Sequence, residues 1–213
     1  MSVKISNLKL IVAAIFAIVT FSLPLSAQSS GPAETERDLS GETEENVEGA
    51  PPEPDVQDEE TLLALLAEAE EVEAKRLDRQ LQAIWSKSGS ASMDLLLKRG
   101  RDALEEEDTR AAIEHLTALT DHAPDFAEGY HARASAFFSA ELYGPALDDL
   151  ERALSLNPNN YNAIFGLGAI LETFGDEERA FEAYQRAQAL HPHHEDVTQA
   201  IERLKPRVEG KSL

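Results

Sequence analysis

The densest group of side chains with possible chemistry is a His-Pro-His-His-Glu run over residues 191–195. Three imidazoles this close together can bind zinc or nickel weakly, but their spacing matches no established ligand pattern. Acids cluster over residues 105–108 and 176–178, where paired carboxylates could act as general acid and base or hold calcium. Each acidic cluster falls in an expected turn between helices, so we interpret both as solvated caps that interact with the helix dipole.

Nucleophilic and cofactor chemistry has no support elsewhere in the sequence. Serine and histidine occur in no arrangement that suggests an activated nucleophile, and the chain contains no cysteine. It has no glycine-rich phosphate loop and no EF-hand spacing. The sequence therefore predicts a protein that is not an enzyme, with no catalytic residue, no metal-ligand set and no cofactor.

The charge of the chain restricts its partners. Its 213 residues carry a formal net charge of −21 at pH 7. This charge repels nucleic acids and anionic membrane surfaces, and the sequence has no basic stripe that could bind them. The same charge favours basic partners at low salt. The expected partner is therefore a protein or peptide, and a homo-oligomer is the other assembly that the sequence allows.

From residue 93 onward the sequence repeats itself every 34 residues. Five positions keep this spacing through three units: Pro124, Pro158 and Pro192; Ala112, Ala146 and Ala180; Gly100, Ala134 and Gly168; Leu96, Tyr130 and Ile164; and Leu116, Leu150 and Tyr184. Each unit is expected to be two helices joined by a short turn. The small residues let the two helices approach closely, the bulky ones fill the space between them, and the proline ends the second helix.

This pattern resembles the tetratricopeptide repeat, and the sequence is identified as a member of that family. The resemblance implies an all-α fold, a right-handed superhelical array of three helix-turn-helix units over residues 93–126, 127–160 and 161–194. Unit one departs most from the family pattern, with Arg99 where leucine is usual and Leu119 in place of a second-helix alanine.

The N-terminal residues 1–27 have the features of a secretory signal peptide. Lys4 and Lys9 precede an uncharged apolar run that Pro24 breaks, and a small residue follows at Ala27. The run is shorter than the roughly 20 residues that a membrane-spanning helix needs. We therefore expect cleavage after Ala27 and export to the bacterial periplasm, with an uncleaved anchor as the alternative.

Two further segments separate this N-terminus from the repeats. Residues 28–60 are rich in acids and poor in large apolar side chains, which predicts a disordered linker. Residues 61–87 carry leucines three and four apart and predict one long amphipathic helix that packs on the repeats and covers unit one, pairs with its own copies, or docks on a partner. At the other end, a capping helix over 195–206 is expected to end at Pro206, before a tail of residues 207–213.

In the family, the first helices of the units line a concave groove, and the resemblance carries these positions onto this chain. The implied groove residues are Asp94, Leu97, Arg101, Leu104 and Glu105 in unit one, Glu128, His131, Ser135, Phe138 and Ser139 in unit two, and Asn162, Phe165, Ala169, Glu172 and Thr173 in unit three. The lysines and asparagines with which some members hold a C-terminal carboxylate are absent. An apolar floor edged by acids instead suits an extended segment or an amphipathic helix with apolar anchors and basic flanks.

The alternative for this floor is that Phe138 and Phe165 pack against neighbouring helices or against the helix over 61–87. The resemblance implies a non-catalytic protein–protein interaction module or scaffold in the bacterial envelope. Self-association through the helix over 61–87 is the second hypothesis, and metal binding by the histidines is the least favoured.

Overall fold

The computed structural model describes residues 58–210. The described helices are α1 (Glu59–Glu68), α2 (Glu71–Trp85), α3 (Ala91–Glu105), α4 (Thr109–His122), α5 (Ala127–Ser139), α6 (Tyr143–Leu156), α7 (Tyr161–Thr173), α8 (Glu177–Leu190) and α9 (Glu195–Glu209). The expected signal peptide, all but the last three residues of the acidic linker, and residues 211–213 of the tail lie outside this range. Over residues 58–210 no strand occurs, and no helix has the length and apolar character needed to cross a bilayer.

Three pairs of helices form the repeat array, as the sequence predicts. Helices α3 and α4, α5 and α6, and α7 and α8 pack as antiparallel pairs, and each pair contacts the next. The repeated prolines Pro124, Pro158 and Pro192 each lie two residues beyond the last residue of a second helix. Because proline cannot donate a backbone hydrogen bond, it fixes these helix ends.

The small and bulky repeat positions meet inside each pair. A Cβ atom added to Gly168 would lie 2.5 Å from Cε1 of Tyr184, and one added to Gly100 would clash with Leu116. Both bulky side chains are fully buried. The close approach of first and second helices that the repeat pattern predicts is therefore confirmed.

The turn inside each unit places one residue in the left-handed backbone region. This residue is Glu107 in unit one, Glu141 in unit two and Gly175 in unit three, with φ values of 60°, 58° and 78°. Each turn closes with the two backbone hydrogen bonds of a Schellman motif, such as Leu142 N–H to the carbonyl of Phe137 at 2.8 Å. Only unit three has the glycine that this conformation favours.

Arginines join neighbouring units. Arg133, at a position where leucine is usual, donates two hydrogen bonds to Asp149 at 2.7 and 2.8 Å and a third to Thr120 of unit one. Arg152 and Arg186, which are 34 residues apart, each donate to the carbonyl of the preceding unit's repeat proline, at 2.9 and 2.8 Å. The arginine at the leucine position therefore replaces an apolar contact with a partly buried ion pair.

The prediction of a single helix over residues 61–87 is wrong in one respect, because the structure has two helices there, α1 and α2. Ala69 and Glu70 are extended, with ψ values of 147° and 160°. The first helix also begins two residues earlier than predicted, at Glu59, with the carboxylate of Asp58 accepting from Thr61 N–H at 2.8 Å. The break lets α1 fold back along α2 and contact α8. We call α1 and α2 together the clasp.

The clasp covers the third unit and α9, and the prediction that it covers unit one is wrong. One core contains Leu62, Leu66, Leu77 and Leu81 of the clasp together with Tyr161, Ile164 and Tyr184 of unit three and Val197 and Leu204 of α9. Unit one has a separate core around Leu97 and Leu116. The clasp leucines pack on the apolar side chains of unit three and α9, and their burial there stabilises that end of the array.

The capping helix α9 continues to Glu209, so the expectation that Pro206 ends it is wrong. Pro206 removes one backbone hydrogen bond, to the carbonyl of Glu202. Both residues lie on the exposed side of the helix, where water can solvate the freed carbonyl. The buried side, with Val197 and Leu204, keeps the helix on the array beyond the proline.

Candidate functional site

A cavity of about 360 Å³ lies between the first helices of units two and three, and we call it the groove cavity. Seven of the residues implied by the family resemblance line it: His131, Ser135, Phe138, Ser139, Asn162, Phe165 and Ala169. Gly166 and the apolar residues Ala134, Leu150 and Ile170 complete its wall. The structure therefore places the unit-two and unit-three part of the predicted set around one apolar space, except for Glu128, Glu172 and Thr173.

The two phenylalanines of the groove cavity have different surroundings. Phe138 is 37% exposed, and its ring meets the edge of Tyr143 with centroids 5.4 Å apart. Phe165 is partly buried and stacks on His194 of the cap, with ring centroids 5.8 Å apart. Phe165 thus packs against its neighbours while still lining the cavity, whereas Phe138 keeps a substantial apolar surface in contact with solvent.

The unit-one part of the predicted set does not line the groove cavity. Leu97 is 2% exposed and belongs to the core of unit one, against which Leu104 also packs. Arg101 donates to Ser86 at 2.9 Å and pairs with Glu128. Unit one is the end of the array, and these side chains close its own core and its contact with unit two.

Glu128 is buried, at 2% exposure, and connects unit one, its own unit and the residue that caps α7. Its carboxylate pairs with Arg101 of unit one, lies 3.0 Å from Nδ1 of His131 in its own unit, and accepts from Asn160 at 3.1 Å. Burial alone would raise the pKa of Glu128, but the charges and hydrogen bonds of His131 and Arg101 together hold this pKa below its usual value. Glu128 therefore organises the groove without lining it.

Glu172, at the other end of the predicted set, is also engaged within the protein. Its carboxylate accepts from Tyr184 O–H at 2.9 Å and from Arg203 of α9 at 2.9 and 3.0 Å. The hydrogen bonds of Arg203 and Tyr184 hold the pKa of Glu172 below its usual range against a smaller effect of burial. These contacts attach the cap to unit three.

A second cavity, of about 320 Å³, lies between α2 and the start of α9, and we call it the clasp cavity. Its wall consists of Lys75, Asp78 and Gln82 from the clasp, Asn162 from α7, and His191, His193, His194, Glu195 and Asp196 from the cap region. Sequence reasoning missed this site because the clasp residues lie about 80 positions before Tyr161, to which Asp78 and Gln82 are hydrogen-bonded. The site exists only because the clasp packs on unit three.

The histidines of residues 191–195 have structural contacts. His194 accepts from Val197 N–H at Nδ1, 3.5 Å away, and its Nε2 lies 3.0 Å from the side-chain oxygen of Asn162. His191 is buried, and its ring meets the edge of Tyr161 with centroids 5.1 Å apart. Burial lowers the pKa of both histidines. For His194 this effect outweighs the nearby acids, which raise its pKa. Within residues 58–210, no three His, Asp or Glu side chains are placed to share a metal ion.

Comparison with known proteins identifies similar sequences. A family model described as "Tetratricopeptide repeat" matches residues 97–144 and 131–195. A TPR repeat-containing protein of Rhizobium etli is 27% identical over 137 residues, which are 64% of this chain and 67% of that protein. The SGT1 homologue of Bos taurus is 31% identical over 120 residues, 56% of this chain and 36% of that protein. The matched segment thus spans only about a third of the bovine relative.

A solved structure resembles the fold. The first TPR domain of Spaghetti (RPAP3), bound to the HSP90 peptide SRMEEVD, superimposes with a TM-score of 0.52 over 55% of this chain and 93% of that chain. The two sequences are 23% identical, so the likeness establishes a shared helical-repeat fold.

Proposed function

Since this chain belongs to the tetratricopeptide repeat family, we propose that it is a non-catalytic interaction module that binds a segment of a partner protein in the groove cavity. The observation that supports this function is an apolar space between two repeat units with Phe138 left 37% exposed at its wall. Large apolar side chains seated in such pockets contribute much of the affinity of protein interfaces.

The dimensions of the groove cavity fit one or two bulky side chains of a peptide. Its volume of about 360 Å³ lies at the lower end of the range for ligand pockets. The polar groups at its wall, His131, Ser135, Ser139 and Asn162, can hydrogen-bond a peptide backbone. The HSP90 peptide bound to the Spaghetti domain supports a short peptide segment as the class of ligand.

The partner segment proposed here differs from one held by its C-terminal carboxylate. No lysine or arginine is among the residues that line the groove cavity. Phe138 and Phe165 instead provide contacts for aromatic or branched apolar side chains. The proposed ligand is therefore an internal or terminal segment with an apolar anchor.

The proposed place of action is the bacterial periplasm, where the chain would serve as a scaffold. This proposal depends on the signal-peptide features of residues 1–27 and on the acidic stretch that follows them. Cell fractionation of the producing bacterium, followed by N-terminal sequencing, tests it. A mature protein that begins at Gln28 and leaves with the periplasmic fraction supports export, whereas an intact Met1 in the cytosolic fraction overturns it.

The test of the groove uses displayed random peptides selected on the purified chain. Fluorescence anisotropy then compares the selected peptides on the unchanged protein, on Phe138→Glu and on Leu142→Glu. Leu142 is the matched control, because it is 47% exposed and lies outside the groove cavity. We expect about tenfold or greater weakening for Phe138→Glu only, since a buried anchor contributes 2 kcal/mol or more. Equal binding by both variants would overturn the groove as the site.

Self-association through the clasp is not the function that the geometry favours. The leucines on which that hypothesis depended are buried in the shared core, with Leu66 and Leu81 at 0% exposure. A second copy could reach them only after the clasp had left unit three, at a cost of several kcal/mol for the lost burial.

A further inference from the structure

We infer that the partner segment places a lysine or arginine side chain in the clasp cavity, beside the apolar anchor that it seats in the groove cavity. This inference rests on the proposed function and assigns the second part of the ligand. It makes the clasp a wall of the binding site as well as a structural support of unit three.

The two cavities are neighbours, connected by one shared residue and one contact between aromatic rings. Asn162 lines both of them. Phe165, in the wall of the groove cavity, stacks on His194, in the wall of the clasp cavity, with an interplanar angle of 25°. A peptide that leaves the groove cavity past Asn162 therefore reaches the clasp cavity directly.

The charges around the clasp cavity favour a cation. Three carboxylates, those of Asp78, Glu195 and Asp196, face one ammonium group, that of Lys75. Lys75 is already 2.8 Å from Glu71 and 3.6 Å from Glu195. A ligand carboxylate would meet an excess of negative charge, whereas a lysine or arginine side chain would neutralise part of that excess.

One buried polar atom in this wall has no partner. His191 is 5% exposed, and among the described residues its Nδ1 atom makes no hydrogen bond. Buried polar atoms are almost always hydrogen-bonded, so this unpartnered atom marks the wall as polar ground that the protein leaves unsatisfied. Burial lowers the pKa of His191, so at pH 7 its neutral ring adds no positive charge that would oppose a ligand cation beside Asp78.

The acceptors beside His191 are held in place before any ligand arrives. Asp78 accepts from Tyr161 O–H at 2.6 Å and lies 3.4 Å from the amide nitrogen of Gln82. Its remaining lone pairs are free to accept a further donor from a basic side chain. A metal ion fits less well, since over residues 58–210 no three His, Asp or Glu side chains can share one ion.

The test uses synthetic peptides in a glycine–serine background that carry one phenylalanine and one arginine at separations of one to four residues. A matched set carries citrulline, which has the shape of arginine without its charge. Fluorescence anisotropy at low salt measures both sets on the unchanged chain. At the best separation we expect the arginine peptide to bind about tenfold more tightly, since its gain is a charge-assisted hydrogen bond.

A pair of double variants localises this preference. Glu195→Gln with Asp196→Gln removes two acids from the clasp cavity, and Glu182→Gln with Glu202→Gln removes two exposed acids elsewhere. We expect the arginine preference to fall to about twofold in the first variant and to persist in the second. Because the arginine–citrulline comparison itself needs no substitution, a variant that loses helicity leaves the test intact.

The outcomes separate the two proposals. Peptides that bind through Phe138 with equal affinity for arginine and citrulline overturn this inference and leave the proposed function standing. An arginine preference that falls equally in both double variants also overturns it, because the preference is then one for net charge. If no peptide binds, the proposed function fails and this inference fails with it.

Discussion

The side-chain amide of Asn160 donates to a carboxylate oxygen of Glu128 at 3.1 Å, and this bond joins the N-terminal cap of α7 to a buried acid of α5. Asn160 also caps α7 by accepting from Ala163 N–H at 3.1 Å. Arg101 reaches the same acid from unit one. One carboxylate thus fixes the relative positions of the first helices that form the groove.

Replacing Glu128 by alanine is expected to destabilise the protein by about 3 kcal/mol, because a buried partner of Arg101 and His131 is lost. Urea unfolding followed by circular dichroism measures the change. The matched control is Glu114→Ala, since Glu114 pairs with Arg110 on an exposed helix face. The control should change stability by no more than about 0.5 kcal/mol. Equal effects of the two substitutions would contradict the role assigned to Glu128.

Acid is expected to loosen the contact between the clasp and unit three. Burial lowers the pKa of His191 and His194, so the folded state binds protons less readily than the unfolded state does. The two neutral histidines contribute fully to the free energy of unfolding above the pKa of about 6.5 that they have in the unfolded chain. This contribution is lost as the pH falls from there toward their pKa values in the folded protein. The acids that face these rings, Asp78, Glu195 and Asp196, reduce the loss without reversing its sign.

Urea unfolding at pH 7.5 and pH 5.5 measures this loss, and His191→Phe should reduce the difference between the two values. Glu128 acts in a lower window, because its depressed pKa keeps it charged until the pH falls below the ordinary glutamate value of about 4.3. A midpoint that is unchanged between pH 7.5 and 5.5 would contradict the assignment to the histidines.

The repeat array could be predicted from the sequence because its determinants are local and periodic. Gly168 and Tyr184 are 16 residues apart, and the same spacing recurs at Gly100 and Leu116. The groove cavity could be predicted from the same 34-residue pattern, since Phe138 and Phe165 lie on first helices whose inward faces the repeat determines.

The rest depends on contacts between distant parts of the chain. The leucine spacing of residues 61–87 predicts an amphipathic helix, but it does not specify which apolar surface that helix covers. The pairing of Asp78 with Tyr161 spans 83 residues and has no signal in the sequence. Nor does the sequence indicate that Leu97 would be needed in the core of unit one. The clasp cavity could therefore be found only in the structure.

The left-handed residue in each turn offers a stabilising substitution. Glu141 has φ 58°, a conformation that is strained for a residue with a side chain and favoured by glycine, as at Gly175. Glu141→Gly should stabilise the protein by about 1 kcal/mol. Ala140→Gly is the control in the same turn, because Ala140 has φ −85° and gains nothing from glycine. Thermal unfolding should show a higher Tm for the first variant and an equal or lower Tm for the second.

The clasp contributes to stability through its leucines, and the two faces of α2 give a matched comparison. Leu77 is 1% exposed in the core shared with unit three, whereas Val72 is 86% exposed on the other face. Leu77→Ala should cost about 2–5 kcal/mol, because it leaves a cavity among side chains of α2, α7 and α9. Val72→Ala should be nearly neutral in urea unfolding. If Leu77→Ala were also neutral, the clasp would not be packed on unit three in solution, and the clasp cavity would lose one of its walls.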